Sequence, residues 1–195
     1  MGFEYAVDES RLFDGEGQRK YLLAAEAQLF LKTAAQCERA TRLFAELLFY
    51  TGCRITEGLE LTPRRLDTAG KRVVFRTLKR RKLAYRAVPI PACLLRNLLA
   101  YAHECAPDDR LFAWSRQTGW RKICAIMEAA GIEGPQATQK GLRHQFGIHA
   151  IGMKVPEGTL QLWMGHARVR NTHIYTFAVG SEERALAARM WRGLQ

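Results

Sequence analysis

The spacing of apolar positions changes twice along the chain, and each change marks a boundary in the architecture. From Tyr21 to about Lys32 apolar residues recur on a helical period, at Leu22 and Leu23, at Ala27, and at Leu29 and Phe30. Residues 38–51 repeat that period, with Ala40, Leu43, Phe44, Leu47 and Leu48 facing inward and Gly52 as the stop. A short helix over 55–61 ends before Pro63. The period then drops. Arg72-Val-Val-Phe-Arg76 and Tyr85-Arg-Ala-Val-Pro89 are β-branched or aromatic runs that predict neighbouring antiparallel strands. Leu78–Leu83 forms the hairpin tip between them, and residues 64–68 supply a third strand. From Pro91 the helical period returns, predicting helices near 92–104, 116–130, 138–152, 157–164, 168–177 and 182–193. Gly131, Pro135 and Gly180 punctuate this stretch.

The resulting class is α+β: a mostly α-helical single domain with a small antiparallel β-sheet near residues 64–90. Residues 1–20 read as an acidic N-terminal arm, and 21–195 as one domain. At 195 residues the chain is long enough for one sizeable core.

Composition narrows the function classes. Hydrophobic residues make up 48% and charged residues 25%, an ordinary globular balance. No apolar run reaches membrane-spanning length. The opening carries Glu4, Asp8, Glu9, Asp14 and Glu16, the wrong charge for a secretory signal. The expectation is a cytoplasmic protein with no membrane partner. Five cysteines are widely spaced without a C-x-x-C pair, so neither a disulfide framework nor a zinc site is expected.

Charge points to a partner. Thirty Lys and Arg face nineteen acids, for a net +11, which favours a polyanion, with nucleic acid the first candidate. Ten of those basic residues lie between Arg64 and Arg86, with Asp67 the one acid among them. Arg64, Arg65, Arg80, Arg81, Lys82 and Arg86 are the candidate phosphate-tracking residues of this edge. A solvated hairpin with surface charges is the plain alternative; the uncompensated run 79–82 favours the phosphate-binding one.

The C-terminal third holds Lys140-Gly-Leu-Arg143-His144, then Gly165-His166, then Tyr175. Lys140 and Arg143 are one helical turn apart and share a face. Pro156 and Gly165 break the chain and let it fold back, bringing His166 toward them. An arginine, a histidine and a tyrosine around one phosphate make a phosphoryl-transfer site: the arginine clamps oxygens, the histidine donates a hydrogen bond, the tyrosine attacks. Taken singly, each has a structural explanation. His144 lies roughly 100° around the helix from Arg143 and reads as packing; neither it nor His149 is expected to act in the chemistry.

Five ordered blocks resemble the tyrosine recombinases, also called the phage integrase family. Leu48-Phe-Tyr-Thr-Gly-Cys-Arg54-Ile-Thr-Glu57-Gly-Leu-Glu-Leu61 is similar to the family's "YTGxRxxELxxL" segment. Arg76-Thr-Leu-Lys79 followed by Arg86-Ala-Val-Pro89 resembles its β-hairpin lysine segment. Leu142-Arg143-His144-Gln-Phe resembles "HxLRHxF", Trp163-Met-Gly165-His166 resembles "LGH", and Thr172-His-Ile-Tyr175 resembles the nucleophile segment.

The resemblance implies a site-specific DNA recombinase, a strand-transferase that uses neither metal nor nucleotide cofactor. Tyr175 attacks a phosphodiester of double-stranded DNA at a recombination site and forms a 3′-phosphotyrosyl link. Arg54 and Arg143 hold the transition-state charge, Lys79 is the general acid on the leaving 5′-oxygen, and His166 donates a hydrogen bond to the phosphate. Glu57, one turn after Arg54, steadies the site, a surface acid being the alternative. Where the family carries histidine this chain has Lys140, which binds phosphate or, with its pKa lowered in a cationic site, acts as a base. A homo-oligomer on DNA is implied, with residues 182–195 forming a helix that docks on a neighbouring protomer or packs on its own domain. Family members usually carry a further DNA-clamping domain; its absence ahead of Tyr21 implies a fragment or a compact recombinase. The resemblance places the protein in a bacterial, phage or plasmid cytoplasm, on the nucleoid. A weakly active or inactive DNA-binding accessory protein of the same fold is the rival reading, supported by Lys140; a type IB topoisomerase is a third, disfavoured by the motif matches.

Overall fold

The computed structural model describes residues 12–79, 82–103, 105–166, 170–176 and 188–189. Helices α1 (Ala24–Ala34), α2 (Arg39–Thr51) and α3 (Ile55–Leu59) come first, followed by a 3-10 turn at Pro63–Arg65. Strands β1 (Leu66–Asp67), β2 (Arg72–Lys79) and β3 (Lys82–Pro89) come next. Then follow α4 (Ala92–Ala102), α5 (Arg116–Ala129), α6 (Gln139–Gly152), α7 (Glu157–Met164), α8 (Arg170–His173) and a 3-10 turn at Ile174–Thr176. The mostly helical class with an inserted small sheet is the one expected.

Several boundaries differ, each for a local reason. The first helix starts at Ala24, because Glu26 accepts the Leu23 N–H at 2.7 Å and is itself clamped by Arg19 at 2.7 and 2.6 Å. Leu29 then falls on the outer face and is 48% exposed. The hairpin is longer than its β-branched runs. The ladder continues through Thr77↔Ala84 and Leu78↔Leu83 to Lys79↔Lys82, so strand replaces most of the expected tip. The third strand is two residues, Leu66 and Asp67, paired with Val73 and Arg72. Of the expected helix 168–177 the described residues are 170–176, where a turn of α8 tightens into 3-10 and Tyr175 sits on the tight turn. The expected helix 182–193 and the first part of the acidic arm lie outside the described residues.

Two apolar clusters hold the fold. The larger gathers α1, α2, the sheet, α4 and α5 around Phe30, Phe44, Leu48, Phe75, Leu98 and Ile123. Strand parity feeds it: Val73, Phe75 and Val88 are buried, whereas Tyr85, opposite Arg76, is 62% exposed. The smaller cluster contains Leu12, Ala150, Leu160, Met164, Ile174 and Tyr175. Leu12 belongs to the segment expected as an arm, yet it is buried. A turn brings it there: Lys20 N–H donates to the Leu12 carbonyl at 2.7 Å, and Phe13 bridges Arg19. The five cysteines are free, and Cys53 is buried. No helix among the described residues is long and apolar enough to cross a membrane.

Candidate active site

The site lies where α2, α6 and α7 end or cross. Gly52 closes α2 in the left-handed region (φ 56°) and turns the chain into Arg54, the N-cap of α3. Gly165 closes α7 the same way (φ 63°) and delivers His166. Both turns leave helix-end carbonyls pointing inward. Arg143, buried on α6, donates to the Gly52 carbonyl and, at 2.7 Å, to the Met164 carbonyl. A cation thus sits at the negative ends of two helices and ties the Arg54 turn to the His166 turn. Burial lowers its pKa to about 10, with the Arg54 charge adding to the effect. The guanidinium stays protonated at neutral pH. It has five N–H donors and spends two contacts on these carbonyls.

Glu57 organises the other side. Its carboxylate accepts the Arg54 N–H at 2.7 Å and the Arg54 guanidinium at 3.1 Å. It also accepts both terminal nitrogens of Arg86, at 2.8 and 2.7 Å. Burial alone would raise its pKa; the hydrogen bonds and charge of Arg86, then the Arg54 contacts, hold it at about 2. Arg86 also donates through Nε to the Trp163 carbonyl at 2.8 Å and lies over the Phe75 ring at 4.9 Å. Arg86, expected on the DNA-tracking edge, instead turns inward: its side chain is only 9% exposed and bound to Glu57. Its parity with Val88, two residues on, is the signal that points it inward. Glu57 likewise is buried, not a surface acid.

Tyr175 is 2% exposed. Its ring stacks near His166 (centroids 6.3 Å, 20° between planes) and lies at 5.9 Å from the His144 ring. Gly147 on α6 makes the space: a Cβ there would fall 2.6 Å from the tyrosine ring. The Tyr175 hydroxyl is 3.3 Å from His144 Nδ1. His144 is buried, as expected for a packing residue, but its ring also faces the hydroxyl of Tyr175, a partner that its angular offset from Arg143 on α6 does not reveal. His166 Nδ1 is 2.9 Å from the hydroxyl of buried Thr172. Both histidines have pKa values near 3, lowered first by burial. Lys140, Arg143 and Lys20 add to the effect on His144; Arg143, Arg54, His144 and Arg86 add to it on His166. Both rings are neutral at neutral pH.

The structure therefore brings together Arg54, Glu57, Arg143, His166 and Tyr175. Arg54 keeps nearly half its side chain open to solvent. Lys140 is exposed and lines an open cavity of about 800 Å³ with Lys20, Ile55, Arg116, Trp120 and Gln139, while its charge still reaches the His144 ring. Lys79 and Lys82 face each other at the end of the hairpin, where only their backbones are described. Arg80 and Arg81 lie outside the described residues. Arg64 is exposed and pairs with Asp108 at 3.0 Å; Arg65 reaches the Glu60 carbonyl at 3.3 Å.

The family model described as the phage integrase family matches residues 20–179. The chain belongs to that family. Among curated relatives, tyrosine recombinase XerA of Thermococcus onnurineus is 30% identical over 168 residues, covering 80% of this chain and 57% of that protein. Tyrosine recombinase XerD of Mycobacterium tuberculosis is 30% identical over 149 residues, covering 69% and 47%. This phage integrase family chain thus spans about half the length of the curated relatives it matches. A solved XerA recombinase superposes with a TM-score of 0.73 at 24% identity over 87% of this chain and 62% of the other. The catalytic domain of bacteriophage HP1 integrase gives 0.64 at 20% identity, over 89% and 96%. These likenesses show the fold, a tyrosine recombinase catalytic domain.

Proposed function

We propose that the chain cuts and rejoins DNA strands at a specific recombination site through a 3′-phosphotyrosyl intermediate at Tyr175. The observation that carries this is the packing of a buried tyrosine between two neutral histidines on the α6 face, beside the Arg143 guanidinium. Three arginines, Arg54, Arg86 and Arg143, act on this region, with Glu57 the carboxylate that pairs two of them among the described residues. That excess of fixed positive charge suits an anionic phosphodiester. Arg54 and the unspent donors of Arg143 hold the non-bridging oxygens. Thr172 occupies His166 Nδ1, so Nε2 is the nitrogen that faces the phosphate. Lys79 protonates the leaving 5′-oxygen. Glu57 positions Arg54 rather than touching DNA. Lys140, on the solvent side of α6, binds a flanking phosphate.

Because Tyr175 lies beside its own chain's Arg143 and His166, attack occurs in cis. Transesterification retains the bond energy, so rejoining is the same step reversed. The relatives named above are tyrosine recombinases, and the XerH recombinase, to which this chain is also similar in fold, was solved on its difH substrate. By analogy we assign double-stranded DNA as partner and a homo-oligomer as the working form on it. Arg64, Arg65 and the hairpin residues Arg80, Arg81 and Lys82 flank the bound duplex. Residues 21–195 form the catalytic domain, with 182–195 as the assembly helix and the acidic arm ahead of it.

The test is covalent capture. Nicked duplexes with a randomised core are incubated with the protein, denatured, and the protein-linked DNA is sequenced. Recovery of one enriched motif by the wild type, lost in Tyr175→Phe, is the expected result. Site-specific binding without any denaturation-resistant adduct would instead establish the accessory DNA-binding protein.

A further inference from the structure

We propose that His144 takes the proton from the Tyr175 hydroxyl as that oxygen attacks phosphorus, a role that Lys140 does not fill. This rests on the strand-transfer reading above and names a reacting group that reading leaves open.

Three observations converge. The first is contact: His144 Nδ1 and the Tyr175 hydroxyl are 3.3 Å apart, a distance that shortens readily on substrate binding. The second is commitment. His144 is 6% exposed, and its Nε2 makes no hydrogen bond among the described residues, so the contact with Tyr175 is the polar interaction its ring makes there. Buried imidazoles normally satisfy both nitrogens. A ring serving one hydroxyl is poised for that hydroxyl. The third is the seat. His144 and Gly147 are one turn apart on α6 and share a face. Gly147 admits the tyrosine ring and His144 meets its oxygen.

Lys140 occupies the same helix one turn earlier but points to the open cavity shared with Lys20, Arg116 and Trp120. An ammonium donates and cannot accept. Burial first, and then its positive charge with those of Arg143 and Lys20, keeps the His144 ring neutral with a free lone pair. A bound phosphodiester brings a negative charge that offsets the part of the effect due to these cations and raises the basicity of His144 when the proton must move.

The step balances as follows. A lone pair on the Tyr175 oxygen forms the new P–O bond, and the O–H electron pair remains on that oxygen. Its proton passes to His144 Nδ1, giving an imidazolium. The P–O5′ bond breaks with its electrons on the 5′-oxygen, which takes a proton from the Lys79 ammonium. In rejoining, the imidazolium returns its proton to the departing tyrosine oxygen.

Two experiments test this. In ¹⁵N-labelled wild-type protein without DNA, the ring nitrogen shifts of His144 should report an unprotonated Nδ1 and a protonated Nε2. A proton on Nδ1 overturns the proposal. On captured nicked DNA, His144→Phe keeps the ring volume and His144→Ala opens a cavity. Both should form adduct roughly a hundredfold or more slowly than wild type, with DNA affinity unchanged. Added azoles should restore His144→Ala, and the rescue should rise with azole basicity among azoles of equal size. Adduct formation by His144→Phe within about threefold of wild type, or rescue indifferent to basicity, overturns it. Should these variants fail to fold, the labelled wild type decides. A wild type that forms no adduct removes the recombinase reading and this step together. Adduct in wild type and His144→Phe alike removes only the step.

Discussion

Arg86 closes on Glu57 with both terminal nitrogens, at 2.8 and 2.7 Å, and the two side chains are only 9% and 7% exposed. The pair joins strand β3 to helix α3, and the Nε bond to the Trp163 carbonyl adds the end of α7. Elements that carry Arg54 and His166 are thereby locked to the sheet. Removing one partner strands a buried charge. Glu57→Gln and Arg86→Met should each destabilise the fold by about 3–5 kcal/mol. Replacing both by apolar residues should cost well under the sum of the two. Urea unfolding of the two singles and the double checks this; single losses below about 1 kcal/mol would show that the pair does not hold the elements together.

Acid should weaken the fold in two overlapping stages. His144 and His166 have folded pKa values near 3, against 6.5 ordinarily. The unfolded chain therefore takes up their protons first, and stability falls as the pH drops below about 6.5 toward 3. Glu57 stands at about 2 against 4.5. Its contribution is fully present above about pH 4.5 and is lost as the pH falls toward 2. A thermal-unfolding series against pH should show both limbs. His144→Phe should flatten part of the upper limb, and Glu57→Gln the lower one. A wild-type melting temperature unchanged between pH 7 and 5 would refute the first stage.

Gly147→Ala should act on the reaction more than on the fold. The added methyl meets three ring carbons of Tyr175 at 2.6 Å, so the ring must leave its seat on α6. Overpacking of this kind costs about 1–3 kcal/mol, and here the mobile partner is a side chain on a short 3-10 turn. The expected outcome is a cleavage rate at least tenfold lower, with far-ultraviolet circular dichroism unchanged. Full activity in this variant would mean that the tyrosine reacts from another position.

Leu12→Ala should loosen the Tyr175 segment from outside. Leu12 is 2% exposed and packs in the cluster that contains Ile174 and Tyr175. Truncating it should cost about 2–5 kcal/mol, as for buried leucines generally. Hydrogen exchange in residues 174–176 should accelerate more than in α2. Equal acceleration everywhere would make Leu12 a general core residue instead.

Much of the architecture was legible from spacing alone. Helix α7 matched its expected bounds, α2, α5 and α6 came within a residue at each end, and the switch to period two located the hairpin. Those signals are local, because one apolar face per turn or per pair of residues is enough to set an element. The misses share a cause. The true start of α1 depends on Arg19 gripping Glu26 from outside the helix. The long hairpin depends on ladder hydrogen bonds through residues with weak strand preference, such as Lys79 and Lys82. Neither is visible in a window of neighbouring residues.

The amino-acid order alone determined the α+β class and the surplus of basic charge, and it singled out Arg54, Arg143, His166 and Tyr175 as the candidate set, because motif and spacing are properties of the chain itself. Tertiary structure alone decided the partners. It turned Arg86 from a surface cation into the counter-ion of Glu57, buried Leu12 against the tyrosine segment, set Lys140 outward, and brought His144 to the Tyr175 oxygen. The physical reason is that burial and pairing arise between segments distant in sequence, and a charge or an imidazole acquires its chemistry from whatever the fold places beside it.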